Sequence, residues 1–290
     1  MTGGEPEGGS FGHGLPDEAA VLELLRFGEI EVRGRLSDAS NATLYATVAL
    51  DGVSAGCVYK PVAGERPLWD FPRHTLARRE TAAYELSAGA GWDVVPPTVL
   101  RDGPFGEGSV QWWVDAGGTD PDGDPVSGEP GAGLVDVVPY GRVPEGWLHV
   151  LDAEGADGRP VALVHADEPV LRRMALFDVV ANNTDRKGGH VLRHAAGAVY
   201  GVDHGLTFNV EDKLRTVLWG WAGQRLDTES CEVLDRLASE LAGGPLRDRL
   251  SDLLAAGEVS RTARRAEQLR RRGRFPRPAD GWPAIPWPAF

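Results

Sequence analysis

The spacing of apolar and polar residues changes period several times along the chain, and each change marks an element. Over EAAVLELLRF the apolar positions recur at helical spacing, with Asp17 placed to cap the start and Gly28 to stop the end. From Glu29 the pattern becomes strand-like: EIEVRGRL, a polar turn SDASN, then ATLYATVAL. Asp51-Gly52 makes a tight turn into a third strand ending Val58-Tyr59-Lys60-Pro61. LARRETAAYELSA, from Leu76, predicts a helix with Leu76, Ala83, Tyr84 and Leu86 on its core face. Val94 to Arg101 and Ser109 to Asp115, separated by a Gly-rich turn, bring the antiparallel strands to five.

Residues 116–133, AGGTDPDGDPVSGEPGAG, interrupt this order as a flexible acidic Gly/Pro loop. Asp120, Asp122 and Asp124 fail as a calcium loop, because Pro125 stands where glycine is required and Gly131 where the bidentate glutamate belongs. Apolar character returns over Leu134 to Leu151, and Pro169 to Val180 has strong helical periodicity with proline in its first turn. LRTVLWGWAGQRL predicts a helical segment after Asn209. A longer one follows, faced by Leu234, Leu237, Leu241, Leu246, Leu250, Leu253 and Leu254. The second half is thus expected to be mainly helical. The resulting organisation is a disordered N-terminus (1–16), a first lobe (17–115), the loop, a second lobe (134–260), and a basic helix with a Pro/Trp-rich tail (261–290).

Composition narrows the partners. A net charge of -13 over 290 residues disfavours nucleic acid, whose phosphates demand a basic surface. Two cysteines, Cys57 and Cys231, form neither a disulfide framework nor a metal-ligand spacing. No apolar run reaches the ~18 residues of a membrane span, and the N-terminus lacks a signal-peptide pattern. A cytoplasmic protein is expected. Arg261 to Arg274 holds seven arginines and one glutamate: a solvated helix, or a patch for peripheral membrane or partner contact.

The chemistry concentrates between Phe177 and Asn209, FDVVANNTDRKGGHVLRHAAGAVYGVDHGLTFN. Asp185 and Asp203 sit at the mouths of consecutive elements, with His190 five residues after the first acid. Phosphoryl transfer needs one carboxylate to position a nucleophile and another, with a nearby ligand, to hold a metal on the phosphates. Upstream, a strand lysine (Lys60) and a helix glutamate (Glu80, with Glu85 as the alternative) suit a pair that holds nucleotide phosphates. Ser40 and Asn41, in the turn between the first two strands, suit backbone contact with phosphates, or are simply a hairpin turn. Gln111, Trp113 and Val114 lie on the strand leaving the sheet, where a nucleotide base would pack. Arg186 and Lys187 are placed to neutralise transferring phosphate or an anionic substrate.

Asn183-Thr184-Asp185-Arg186, Val202-Asp203-His204-Gly205-Leu206-Thr207-Phe208, Val58-Tyr59-Lys60-Pro61 and Glu80 together resemble the phosphatidylinositol 3- and 4-kinase-like superfamily, within the wider protein-kinase-like fold. The resemblance is closest to type II phosphatidylinositol 4-kinases, looser to HipA-type kinases, and points to a bacterial, actinobacterial branch; it spans about residues 30 to 225. It implies an α+β, two-lobed kinase-like fold: an N-lobe with a five-stranded antiparallel sheet and one helix, and a mainly helical C-lobe. It further implies ATP, with Asp185 as catalytic aspartate, Asp203 as principal Mg²⁺ ligand, Lys60 on the phosphates and Glu80 holding Lys60. The superfamily's second metal ligand is an asparagine, and His190 stands there instead, which admits Mn²⁺ or a phosphate contact. The acceptor hydroxyl (lipid, protein or metabolite) is left open. The alternatives are a pseudokinase or nucleotide-sensing module without turnover, and nucleotidyl transfer on the same scaffold. Metal-dependent hydrolysis at His190, His194 and His204 is disfavoured by their spacing.

Overall fold

A computed structural model describes residues 15–36, 41–115, 133–279, 281 and 283–290, together with the backbone of three two-residue strands at 9–10, 118–119 and 125–126. Ser40 and the three aspartates of the 116–133 loop lie outside the described residues.

The first lobe is built as its alternation predicts. Helix α1, Glu18–Phe27, is capped by the Asp17 side chain, which accepts from the Ala20 N–H at 3.1 Å. Strands β1 (Glu29–Arg35), β2 (Leu44–Leu50), β3 (Val53–Pro61), β4 (Thr98–Gly103) and β5 (Gly106–Trp112) pair antiparallel in the order β1-β2-β3-β5-β4. Gly9–Ser10 adds a short parallel pairing at the start of β3. Val21, Leu24 and Leu25 of α1 close one core against Ala46, Val48, Cys57, Tyr59 and Val110 of the sheet. Helix α2, Leu76–Ala90, turns Ala82, Ala83, Leu86 and Ala90 into the larger core shared with the second lobe. The first lobe therefore carries two helices rather than one, and α2 ties the lobes together.

The second lobe opens differently from expectation. Strands β6 (Val135–Pro139), β7 (Trp147–Glu154) and β8 (Pro160–Ala166) form a three-stranded antiparallel sheet in the order β7-β8-β6. Helix α3, Pro169–Ala181, follows with proline at its N-terminus. It ends at Asn182 in the left-handed conformation, where asparagine is tolerated. The Asn182 side chain then stitches the next loop, accepting from Lys213 N–H at 2.9 Å and donating to Glu211 O at 2.7 Å. A short hairpin, β9 (Val191–Arg193) and β10 (Val199–Gly201), separates the two acids.

Residues 214–226 are not a helix. They contain only a single 3₁₀ turn, Trp219–Trp221, and the chain is held by bonds to other segments, such as Val217 N–H to Arg186 O at 3.1 Å and Gly223 N–H to Phe275 O at 3.1 Å. The leucine-rich stretch beyond is two helices, α4 (Thr228–Gly243) and α5 (Pro245–Leu253), broken at Gly244-Pro245. Helix α6, Ala256–Arg272, completes the lobe and ends at Gly273, left-handed at φ 57°. The whole is an α+β, two-lobed fold, with a five-stranded antiparallel sheet on one side and a largely helical lobe on the other. Among the described residues no helix is long and apolar enough to cross a membrane.

Candidate active site

Lys60 reaches the interlobe cleft because it is the penultimate residue of β3, whose alternation buries Tyr59 and turns the lysine to the other face. Its ammonium is bonded to Glu80 Oε1 of α2, and donates to Asp203 Oδ1 at 2.9 Å. The second Glu80 oxygen accepts the His204 N–H at 2.8 Å, so one carboxylate fixes both the lysine and the loop carrying Asp203. Glu85, the alternative partner, is engaged elsewhere, by Arg249 Nε at 2.6 Å. Burial pulls the Lys60 ammonium down, but Asp203 and Glu80 outweigh it and hold the lysine above its ordinary value. The same Lys60 charge holds Asp203 well below the usual carboxylate range.

Asp203 adopts φ 59°, a left-handed backbone uncommon for a residue other than glycine and a feature that clusters at functional sites. Its side chain is 56% exposed, open to the cleft. His190 Nε2 lies 3.6 Å from Asp203 Oδ2, outside hydrogen-bond range, and His190 Nδ1 is buried without a partner among the described residues. Burial lowers the His190 pKa, so the ring is neutral and has a lone pair to offer. Asp185 sits on the loop after α3, its N–H donating to Asn183 Oδ1 at 3.0 Å and its Oδ2 3.4 Å from Lys187 Nζ. Burial pushes the Asp185 carboxyl upward, with Lys187 and His190 opposing.

Arg186 corrects the expectation that it faces phosphate. It is fully buried beneath the loop, paired with Asp178 of α3 through Nη2 to Oδ1 at 3.0 Å and through Nε at 3.2 Å to both oxygens. Its remaining groups donate to His204 Nε2 (2.7 Å), Val202 O (3.3 Å) and His190 O (3.4 Å). Room for the guanidinium comes from Gly201, where a Cβ would approach Nη1 to 2.7 Å. Asp178 also accepts from Asn183 Nδ2 and Thr216 Oγ1, each at 2.9 Å. This acid inside an apolar helix is the positioning residue that sequence reasoning passed over, and its signal was its isolation among Phe177, Val179 and Val180.

Between the lobes lies a cleft of about 350 Å³, within the range of small-molecule sites. Lys60, His190 and Asp203 are at its polar end, and Val58, Trp113 and Val114 are among its apolar lining. Gln111 lines it too, with its amide spent on Thr98 Oγ1 at 2.8 Å. Trp113 is held edge-on to Tyr45, the ring centroids 4.9 Å apart. Asn41 is not in the lining; its Oδ1 accepts the Arg66 N–H at 2.8 Å, tying down the turn, while Leu36 and Thr43 supply that wall. Among the described residues no three His, Cys, Asp or Glu side chains gather as a metal cage. Magnesium does not need one, since it binds through one or two carboxylates, waters and substrate phosphates. Asp203, exposed and anionic, fits that use; His190 is a softer second donor.

The arginines of residues 261–274 are mostly spent inside the chain: Arg265 on Asp212 (2.8 Å), Arg270 on Asp235 (2.9 Å), Arg271 on Glu267 (3.4 Å) and Arg274 on Gly223 O (2.9 Å). Arg264, Arg270, Arg271, Arg272 and Arg274 are nevertheless exposed.

Fold and site together define a two-lobed protein with a lysine–glutamate pair meeting Asp203 at the cleft between the lobes, while Asp185 lies outside that cleft's lining. Its relatives follow from comparison of the whole chain. No family model matches. The chain is 51% identical over 274 residues to protein Rv2133c of Mycobacterium tuberculosis, covering 94% of this chain and 96% of that one. It belongs to the same family as Rv2133c. Among solved structures, a Helicobacter pylori proinflammatory kinase, CtkA, aligns over 84% of this chain and 97% of its own, at 11% identity and a TM-score of 0.38.

Proposed function

We propose that the protein is an ATP-dependent phosphotransferase of the phosphatidylinositol 3-/4-kinase-like type, moving the γ-phosphate to a hydroxyl acceptor. The observation that carries this reading is Lys60, bonded at once to Glu80 and, at 2.9 Å, to Asp203. A strand lysine held by a helix glutamate beside an exposed acid is the arrangement by which kinases grip nucleotide phosphates. The base packs against Trp113 and Val114 and the phosphates extend toward Lys60. Asp203 would hold the divalent ion, Mg²⁺ or Mn²⁺, which would supply neutralisation of the phosphate charge. Asp185 orients the acceptor hydroxyl in line and takes its proton; its half-buried, upward-shifted carboxyl suits a base. The acceptor oxygen bonds to the γ-phosphorus as the bond to the bridging oxygen breaks, and ADP leaves.

A second reading, nucleotide binding without turnover, is favoured by one observation: an imidazole, His190, lies where a hard oxygen ligand would serve magnesium better. Two measurements separate them. Thermal shift with ATP and Mg²⁺ or Mn²⁺ reports binding, and the absence of any shift counts against both readings. Transfer of radiolabelled phosphate, to an acceptor or to the protein itself, should disappear in Asp185→Ala and Asp203→Ala. Binding without transfer to any acceptor supports the second reading.

A further inference from the structure

The C-lobe contains another cavity, of about 210 Å³, whose lining shares no residue with the interlobe cleft. Arg265, Arg272, Arg274 and Arg277 line it against one acid, Asp212. Arg265 and Arg272 stand seven residues apart on α6 and so share a face. Gly273 then ends the helix, and an isolated bridge between Arg274 and Arg225 sets the chain that carries Arg274 and Arg277 along the cavity edge. Gly223 is what lets Arg277 approach, since a Cβ there would lie 2.7 Å from its Nη2.

Charge in this cavity is not balanced from within. Asp212 is shared, pairing with Arg265 at 2.8 Å and with Arg261 at 3.5 Å. Arg265 is 8% exposed; its Nη2 donates to Asn209 O at 2.6 Å, but its Nη1 is buried and has no hydrogen-bond partner among the described residues. With that nitrogen unbonded and Asp212 shared, the Arg265 charge is only partly compensated from within the chain. Leu214 and Trp219 supply an apolar wall, with the Trp219 ring fixed by its Nε1–H donating to Ala284 O at 2.9 Å.

We propose that this cavity is a binding site for a phosphate monoester joined to an apolar body. Planar guanidinium forks match phosphate oxygens in pairs, which lysines would not do. The indole wall takes the apolar part of the ligand. The site is separate from phosphoryl transfer, and its occupancy does not depend on the interlobe cleft being catalytic.

Isothermal titration of the full chain with 1-naphthyl phosphate, inorganic phosphate and 1-naphthol tests this. Saturable binding is expected for the naphthyl ester, weaker binding for inorganic phosphate, and none for naphthol. The double variant Arg272→Ala/Arg277→Ala changes two exposed side chains, so the fold, checked by circular dichroism, survives. Affinity should fall by roughly tenfold or more, the effect of losing a hydrogen bond to a charged group. Lys60→Met, which disables the interlobe cleft, should leave this binding unchanged. Co-sedimentation with phosphatidic acid vesicles, abolished by the arginine pair, would assign the same chemistry to a lipid headgroup; its absence assigns a free ester. The proposal is overturned if the ester does not bind saturably, if the arginine pair binds it undiminished, or if Lys60→Met alone removes binding.

Discussion

Replacing Asp178 by asparagine keeps the side chain's shape and removes its charge. Asp178 receives four donors: Asn183 Nδ2 and Thr216 Oγ1, each at 2.9 Å, Arg186 Nη2 at 3.0 Å and Arg186 Nε at 3.2 Å. An amide offers one oxygen and turns two N–H groups toward the remaining donors. The larger effect is on Arg186, which is fully buried and would keep its charge without a counter-charge. Breaking a buried pair in this way costs about 3–5 kcal/mol. At about 2–4 °C per kcal/mol for chains of a couple of hundred residues, the melting temperature should fall by roughly 6 to 20 °C. Urea unfolding of Asp178→Asn, Arg186→Met and the double variant then isolates the pair. Arg186→Met should cost less in the Asp178→Asn background than in the parent, because it removes the stranded charge, with an interaction of about 0.5–3 kcal/mol. A melting temperature within ~2 °C of the parent, or strictly additive costs, would refute the role given to Asp178.

Three further outcomes follow from the same geometry. His190→Asn places an oxygen donor beside Asp203, so magnesium-supported transfer should be kept or raised relative to manganese; an inactive but folded variant argues that His190 is not a metal ligand. Arg79→Met removes the fully buried partner of Glu258 and the donor to Thr207 O at 2.6 Å, which link α2 to the second lobe. A loss of ~3 kcal/mol is expected in urea unfolding, and an unchanged midpoint would rule the link out. His165 is buried, its Nδ1–H donating to Ala166 O at 2.9 Å and its Nε2 accepting from Gly220 N–H at 3.0 Å. Burial lowers its folded pKa from 6.5, so the unfolded chain binds the extra proton below that value. Its contribution is full above about pH 6.5 and is lost as pH falls, with a limiting slope of about 1.4 kcal/mol per unit. His165→Gln retains an acceptor for Gly220 and should flatten the slope between pH 7 and 5; equal slopes in both proteins would contradict this.

The first lobe, and the meeting of Lys60 and Glu80 with Asp203, were legible because each residue rests on local signals. Alternation sets β1 to β5, Asp17 and Gly28 bound α1, and Lys60 falls on the face of its strand opposite the buried Cys57 and Tyr59. What was not legible depends on partners distant in sequence. Pro160–Ala166 is a near-continuous apolar run, which periodicity cannot divide between buried strand and helix, and it is the central strand of a sheet. Residues 214–226 carry helix-like apolar spacing, but Gly220 and Gly223 interrupt it, and Val217, Leu218 and Trp221 are buried from irregular chain instead. Arg186 follows an aspartate and so resembled a phosphate contact. Its true partner lies eight residues earlier, and only the turn at Asn182 directs it inward. The cleft's walls likewise mix residues from both lobes, and no local pattern foretells that Thr43 rather than Asn41 faces it.

One guanidinium therefore limits how the site can move. Arg186 grips α3 through Asp178 while donating to the carbonyls of His190 and Val202, which flank the two halves of the active loop. Asp185 and Asp203 consequently rest on a single plinth, and swinging either out would strand a charge in the interior. Glu80 belongs to the same assembly, since its Oε2 accepts the His204 N–H at 2.8 Å and its helix is bonded to the second lobe through Arg79. A probe pair spanning the two acids should therefore report one fixed separation with and without nucleotide.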